Sequence, residues 1–333
     1  MAKYTSIGGQ ALIEGILMKS PEKTALAVRM PNGEIDLSYI NGKSLREKYK
    51  ILNLPVIRGV IAFAESMING YKAMMLSAEK SGFTDLEEEK PKDEKKQNAL
   101  VNTVMVIGSV LGVLLAVVLF MYLPRLFVSG IEYVFSAKIT SKLLRSAIEQ
   151  FLKLTIFVIY VFAVSFMKDI KRVFMYHGAE HKTIFCYEKG LELNVENVRK
   201  QKRFHPRCGT SFMILMILVS IFFSTIIQIL FKDIYDNTVV WVIVKILMLP
   251  LICGAGFEVL RACGKYDNLL TRIISAPGMW LQHITTKEPE DDMIEIAIAA
   301  IRACEPENPD VDRSIDTENT ENTETEELPD EHI

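Results

Sequence analysis

Residues 101–122 read VNTVMVIGSVLGVLLAVVLFMY, a run of 22 residues that contains no charged side chain. A helix of about 20 apolar residues is long enough to cross the ~30 Å hydrocarbon core of a bilayer. Helices of soluble proteins seldom lack a charged face over such a length. The run therefore predicts a transmembrane helix and indicates an integral membrane protein.

Three further apolar runs bring the expected number of transmembrane helices to about four, at residues 151–166, 212–231 and 239–257. The first of these contains Lys153, which can reach the interface if it lies near the end of the span. Lys245 and Glu258 fall within or beside the last run. Such charges often line a transport path, but these two can also lie near opposite edges of the membrane, so both interpretations stay open.

The distribution of basic residues predicts the orientation of the chain. Residues 168–211 contain ten Lys and Arg residues, whereas residues 123–146 contain four. Basic residues concentrate in cytoplasmic loops. Residues 1–13 lack the apolar stretch of a signal peptide. We therefore expect a multi-pass protein of the cell membrane, with both termini and the basic segment in the cytoplasm.

The segments outside the apolar runs predict an α+β cytoplasmic domain. Residues 24–39 alternate between apolar and polar side chains on either side of Asn32-Gly33, which predicts a β-hairpin whose turn residues have positive φ. Residues 55–80 have helical periodicity and predict an amphipathic helix, which can lie on the membrane or cap the domain. Residues 293–303 predict a short helix whose apolar side packs on the same domain.

Seven segments are expected along the chain. They are an N-terminal cytoplasmic α+β segment (1–82), a charged linker (83–98), transmembrane helices 1 and 2 (99–167), a cytoplasmic loop with His and Cys motifs (168–211), transmembrane helices 3 and 4 (212–258), a C-terminal cytoplasmic helical segment (259–303) and a disordered acidic tail (304–333). The linker and the tail are expected to be disordered because they contain too few apolar residues to form a core.

Charge indicates the kind of partner. The tail after Cys304 holds twelve acidic residues and one base, Arg313, which leaves a net charge of about +8 on the rest of the chain. A basic cytoplasmic face beside anionic lipid is usual for membrane proteins. The expected partner is therefore the lipid bilayer and not nucleic acid, and a homo-oligomer stays open.

Residues 177–208 gather three of the five histidines and two of the five cysteines. If the second span continues as a helix past Lys168, His177 and His181 lie one turn apart on one face, as a shared metal requires. Cysteines in a reducing compartment serve metals more often than disulfides. The segment predicts a site for zinc or another divalent transition metal, with candidate ligands His177, His181, His205 and Cys208.

The chain is expected to return to this site through a strand at residues 183–188, a turn at Lys189-Gly190 and a short helix capped by Asn194. Four bound ligands would make a closed structural zinc site, whereas three ligands and a water would make a catalytic one. In the catalytic version Glu180 is the candidate general base, while Glu188 or Lys182 orients the substrate. Glu188 can also simply pair with a lysine.

Several motifs together resemble one family: GGQALIEG at residues 8–15, HGAEHKTI at 177–184, CYE at 186–188 and HPRCGTSF at 205–212. They are similar to the DUF1385 family of YqhQ-like bacterial multi-pass membrane proteins, over about residues 6–302. The resemblance implies a metal-dependent enzyme without an established substrate. It adds Gln10, Glu14 and Cys186 to the motif candidates, beside Lys182, although Cys186 can also be a core residue.

The leading hypothesis is a metal-dependent enzyme, hydrolytic in type, which acts on a lipid or cell-envelope substrate at the cytoplasmic membrane face. The alternative is a non-enzymatic transporter or an assembly or scaffolding protein, with a structural zinc or no metal. We also expect Gln10 and Glu14 to approach the histidine cluster. The glycines around them can instead serve only to shape the backbone.

Overall fold

The computed structural model describes residues 5, 7–40, 45–83, 107–108, 110–136, 139–206, 208–231, 237–266 and 268–306. The described part is mostly helical, with one small antiparallel sheet. The expected linker (83–98) and tail (304–333) lie outside it, apart from residues 83 and 304–306.

The strands are β1 (Gly8–Leu12), β2 (Gly15–Lys19), β3 (Thr24–Arg29) and β4 (Ile35–Tyr39). The helices are α1 (Leu45–Lys48), α2 (Ile57–Lys80), α3 (Val110–Val134), α4 (Lys142–Val164), α5 (Lys168–Glu188), α6 (Val195–Arg199), α7 (Gly209–Leu230), α8 (Thr238–Leu247), α9 (Leu249–Lys265), α10 (Leu269–Thr285) and α11 (Asp291–Cys304). A short 3-10 helix, Lys50–Asn53, joins α1 to the segment before α2.

The sheet is a meander in the order β1-β2-β3-β4, with every neighbouring pair antiparallel. Because side chains alternate along a strand, its two faces pack against different helices. Ile16 and Met18 face the core formed with α5 and α11. Leu17 and Leu26 face the opposite core, which includes Ala73 of α2. The sheet is therefore a middle layer between α2 and the α5–α11 pair.

The expected hairpin at residues 24–39 is present, but it forms half of a larger sheet. A second hairpin, β1–β2, turns at Ile13-Glu14 with Glu14 at a φ of 50°. The expected positive φ at both Asn32 and Gly33 is wrong, since only Gly33 has one. The β3–β4 register leaves five residues between Arg29 and Ile35. Positive φ at both central residues is a requirement of two-residue type I′ turns, and this loop is longer.

Among the described residues, three helices, α3, α4 and α7, are long and apolar enough to cross a membrane, and α8 with α9 makes a fourth candidate that bends by 46°. This agrees with the expected number of spans. The bend falls where Pro250 occupies the first turn of α9, and a proline lacks the N–H that would continue the helix from α8. Helix α4 begins at Lys142, earlier than residue 151, because Arg145 finds partners in Glu132 and Glu149.

Helix α5 continues through residues 183–188, so the strand expected there is wrong. The segment is buried on most sides, with Thr183, Ile184 and Cys186 all inside the protein. A helix buried all round loses its amphipathic period, and short stretches can then resemble a strand. The turn at Lys189-Gly190 and the Asn194 cap of α6 form as expected.

Helix α2 joins the sheet to the candidate spans. Its first turns contact α9, where Gly59 packs against Gly254 and Arg58 pairs with Glu258 at 2.5 Å. Further along, the same helix covers one face of the sheet. Thus the amphipathic helix expected at residues 55–80 does cap the domain, and it holds that domain beside the candidate spans.

Candidate metal centre

Three side chains converge where α5 meets the beginning of α7. The ligand atoms of His177, His181 and Cys208 all lie within 4.8 Å of one another, and all three residues are buried. The two histidines share one face of α5, with ring centroids 4.3 Å apart. Cys208 is the N-cap of α7, which brings its thiol to 3.0 Å from Nε2 of His177. This His/His/Cys trio has the composition of a transition-metal site.

Backbone carbonyls hold both imidazoles in one orientation. Nδ1 of His177 lies 2.8 Å from the carbonyl oxygen of Thr285, and Nδ1 of His181 lies 2.5 Å from that of Arg203. Since a carbonyl oxygen only accepts, each Nδ1 carries the proton and donates. The lone pair is then on Nε2. Histidine ligands of metals are typically held by such outer hydrogen bonds.

The charge states also favour metal binding. Burial raises the pKa of the Cys208 thiol, but His181 and Thr210 outweigh that effect and hold its pKa below the ordinary value. Burial lowers the pKa of His181, which keeps its imidazole neutral. Thiolate and neutral imidazole are the forms that bind a metal.

Glu180 lies beside the trio and is also buried. Burial raises the pKa of its carboxyl group to about 8, against the lowering effects of His177 and of the backbone N–H groups of Ala11 and Gly9. Its Oε2 atom has no hydrogen-bond partner among the described residues. A carboxyl group with a pKa near neutrality can exchange a proton, which is what a general acid or base needs.

A cavity of about 620 Å³ opens onto two members of the trio, His181 and Cys208, whereas His177 is not among its lining residues. Sheet, α2, α5 and the start of α7 all contribute to its walls. Its polar and functional lining residues are Thr5, Gln10, Lys19, Ser20, Thr24, Arg46, Ser66, Asn69, Glu180, His181, His205 and Cys208. A volume of this size accommodates a small-molecule ligand.

His205 lies near the trio but does not belong to it. Its ring centroid is 5.7 Å from that of His181, and its Nε2 atom faces Oε2 of Glu188 at 3.5 Å. The structure therefore brings together three of the four expected ligands and places the fourth, with the candidate catalytic residue Glu188, in an adjoining pair. His205 does line the cavity, whereas Glu188 is not among its lining residues.

The other motif candidates divide between the cavity and the core. Gln10 lines the cavity and packs its side-chain amide against Gly70. Glu14 instead accepts hydrogen bonds from Arg172 and Tyr176 and is absent from the cavity lining.

Lys182 and Cys186 also point away from the trio. Lys182 is buried, donates to the carbonyl of Arg199 and pairs with Glu288 at 2.6 Å. Cys186 belongs to the core shared by the sheet, α5 and α11, which agrees with its interpretation as a core residue.

Sequence reasoning missed the residues of α10 that support the site. Gln282, fully buried, accepts from the backbone N–H of His205 and donates to its carbonyl. Three residues later, the carbonyl of Thr285 holds His177. A glutamine inside an apolar helical stretch is a usable signal, because a buried amide needs partners. A backbone carbonyl leaves no such signal in the sequence.

The described part of the chain is thus mostly helical, with three or four candidate membrane spans, a small antiparallel sheet and a buried His/His/Cys cluster. The chain belongs to the DUF1385 family, described as a protein of unknown function, whose model matches residues 54–307. It is 34% identical over 297 residues to "Uncharacterized protein YqhQ" of Bacillus subtilis (strain 168), and the match covers 87% of this chain and 89% of that protein. No solved structure matches the chain.

The comparisons confirm the expected family. The matched range of the family model includes the motifs at residues 177–184 and 205–212. It begins after the N-terminal motif at residues 8–15, although the resemblance was expected from about residue 6 onward. The family and its relative are described without an activity or a metal.

Proposed function

We propose that this protein is an integral membrane enzyme that depends on a divalent transition metal and catalyses a hydrolytic reaction at the cytoplasmic membrane face. The observation that carries the proposal is the buried trio of His177, His181 and Cys208, of which His181 and Cys208 line one cavity together with Glu180. Three protein ligands beside an open cavity are typical of catalytic zinc sites.

The residues have distinct roles in this proposal. His177, His181 and Cys208 hold the metal, which supplies Lewis-acid chemistry by polarising an oxygen of water or substrate. In its carboxylate form, Glu180 would take a proton from the attacking water at its unpartnered Oε2 and pass it to the leaving group. The carbonyls of Thr285 and Arg203 keep the imidazoles in place. His205, paired with Glu188, is a candidate for contacting the substrate from the adjoining cavity wall.

The experiment that tests metal binding is elemental analysis of the detergent-purified protein. We expect near-stoichiometric zinc or another transition metal in the wild type, and its loss in His181→Ala and in Cys208→Ser. Matched controls are His283→Ala and Cys263→Ser, because His283 stacks on Phe204 and neither residue belongs to the trio. Absence of metal after chelator-free purification and metal titration would overturn the proposal.

A structural metal is the second candidate, and one observation favours it. The trio joins α5 to the N-cap of α7, and His177 also contacts the end of α10, so a metal here would hold three helices together. This is the expected role in a non-enzymatic transporter or assembly protein. If chelation unfolds the protein, the structural role is supported. If the chelated protein stays folded and Glu180→Gln retains metal, the enzyme proposal stands and turnover is tested with that variant.

The proposal includes a location and partners. The excess of Lys and Arg in residues 168–211 supports a cytoplasmic position for the site and for both termini. The trio adjoins the first residue of the apolar helix α7, so a substrate taken from the bilayer or the cell envelope would reach it at the membrane surface. Nucleic acid is not an expected partner.

A further inference from the structure

Basic side chains outnumber carboxylates among the described residues that line the cavity. The cationic lining residues are Lys19, at the end of β2, and Arg46, in α1. The only carboxylate among the described lining residues is Glu180, which is 5% exposed and lies beside the trio. A concave surface on which one sign of charge is in excess raises the local concentration of the opposite ion. The cavity is therefore suited to an anionic ligand.

The lining residues of the cavity also differ in their exposure to solvent. Lys19 is exposed, whereas Glu180, His181 and Cys208 are at most 6% exposed. Helix α2 also contributes the hydrogen-bonding side chains of Ser66 and Asn69 to the cavity lining. An anionic group held at the exposed end would place the adjoining part of the same molecule toward the trio.

Apolar side chains of α2 adjoin the polar wall that the helix gives to the cavity. Met67, Ile68 and Tyr71 are 55%, 56% and 51% exposed, and they alternate in sequence with Ser66, Asn69 and Gly70 of the cavity lining. The same helix is fixed to the candidate span α9 through Arg58 and Glu258. An amphipathic helix in this position lies where lipid headgroups meet the apolar interior.

We infer that the cavity binds a phosphate-bearing anionic headgroup, supplied by a membrane lipid whose acyl chains lie along the exposed apolar side of α2. The inference rests on the proposed function only for the chemical step, in which the bound headgroup is the substrate of the metal site. Binding of the headgroup depends on Lys19, Arg46 and α2, and it can be measured without following turnover.

The test is isothermal titration calorimetry on the full chain in maltoside detergent. The probes are short-chain phosphatidic acid, short-chain phosphatidylcholine and glycerol 3-phosphate. We expect saturable binding of phosphatidic acid and much weaker binding of the zwitterionic lipid. Lys19→Gln and Arg46→Gln each remove one charged donor and should weaken binding of phosphatidic acid about tenfold or more.

Lys72→Gln is the matched control, since Lys72 is exposed on α2 but does not line the cavity. It should bind phosphatidic acid as the wild type does, and a thermal melt of each variant confirms folding. If glycerol 3-phosphate binds equally well and both cavity variants weaken it, the phosphate chemistry holds but the lipid source is overturned. If no anionic probe binds, or if the cavity variants change nothing, the inference is wrong. Lipid binding by a protein that contains no metal would overturn the proposed function alone.

Discussion

Gly8 and Gly9 are neighbours in β1, yet only Gly9 lies against a functional side chain. A Cβ atom at Gly9 would lie 2.8 Å from Cδ of Glu180, whereas one at Gly8 would meet nothing within 4 Å. Gly9→Ala should displace the Glu180 carboxyl group and lower the free energy of unfolding by about 1–3 kcal/mol. Denaturant unfolding in detergent measures this difference.

Gly8→Ala is the control for that experiment because it makes the same chemical change on the same strand. It should leave the free energy of unfolding nearly unchanged. Equal effects of the two substitutions would mean that β1 responds to the loss of glycine itself. The contact with Glu180 would then not be the cause.

Glu14 gives a prediction that depends on pH. Burial raises the pKa of its carboxyl group, but hydrogen bonds from Arg172 and Tyr176 and the nearby positive charges outweigh this, so its pKa lies below the ordinary value of 4.5. Nη2 of Arg172 lies 2.7 Å from Oε2. Because Arg172 is partly exposed, we expect Glu14→Gln to lower the free energy of unfolding by only about 1–2 kcal/mol near pH 7.

The sign of the pH effect follows from the lowered pKa. A carboxyl group with a depressed pKa in the folded state stabilises the protein above its unfolded-state pKa, and this contribution is lost as the pH falls through the folded-state value. Thermal melts of wild type and Glu14→Gln should therefore converge as the pH is lowered from 6 to below 4.5. Glu295 pairs with Arg29, and its side chain is half-exposed. Glu295→Gln should therefore differ less from the wild type in thermal stability at every pH. A gap that widens in acid would contradict the assignment.

Single residues differed in how far the sequence could place them. The approach of His177 to His181 follows from helical spacing alone, so it was predictable. The position of Cys208 depends on how a separate helix packs, and its prediction as a metal ligand rests on residue type. The pairing of His205 with Glu188 rests on Gln282, which lies 77 positions away in sequence, so no local pattern encodes it.

Among the elements, α5 shows why a local pattern can mislead. Its alternating residues 183–188 resemble a strand only because the helix is covered by the sheet on one side and by α11 on another. Gly178 is a poor helix former by residue type, but in α5 its lack of a side chain permits a close contact. A Cβ atom there would lie 2.0 Å from the carbonyl oxygen of Lys287, in the segment between α10 and α11.

Gly178→Ala should therefore disturb more than local helix stability. Alanine is the better helix former, so an isolated helix would gain stability from this change. In the protein the segment at Lys287 must move, and Thr285, whose carbonyl holds His177, is only two residues away. We expect a loss of about 1–3 kcal/mol in the free energy of unfolding, together with weaker metal retention during dialysis.

Gly130→Ala is the matched control, since Gly130 is also helical and a Cβ atom there would meet nothing within 4 Å. It should leave both stability and metal retention close to those of the wild type. A stabilised Gly178→Ala protein that keeps its metal would show that the Lys287 segment is not packed against α5 as described.

At the scale of the whole molecule, the sequence predicted the parts better than their assembly. Apolar runs identified the candidate spans because membrane helices must be continuously apolar. The sheet, in contrast, needs α11 from the far end of the chain to cover one face and α2 to cover the other. Contacts between such distant segments are set by packing, so periodicity could predict each helix but not its partner.

The orientation of the molecule in the membrane is the last prediction, and it can be tested with introduced cysteines. Thr140, between α3 and α4, and Lys200, after α6, are both exposed. If residues 168–211 are cytoplasmic, a membrane-impermeant maleimide should label Thr140→Cys in intact cells and label Lys200→Cys only after permeabilisation. The wild type is the background control, because Cys263 is its one cysteine among the described residues that is not buried. Labelling of Lys200→Cys in intact cells would show the inverse topology, with the His/His/Cys cluster outside the reducing cytoplasm. In an oxidising compartment a disulfide would compete with a metal for Cys208.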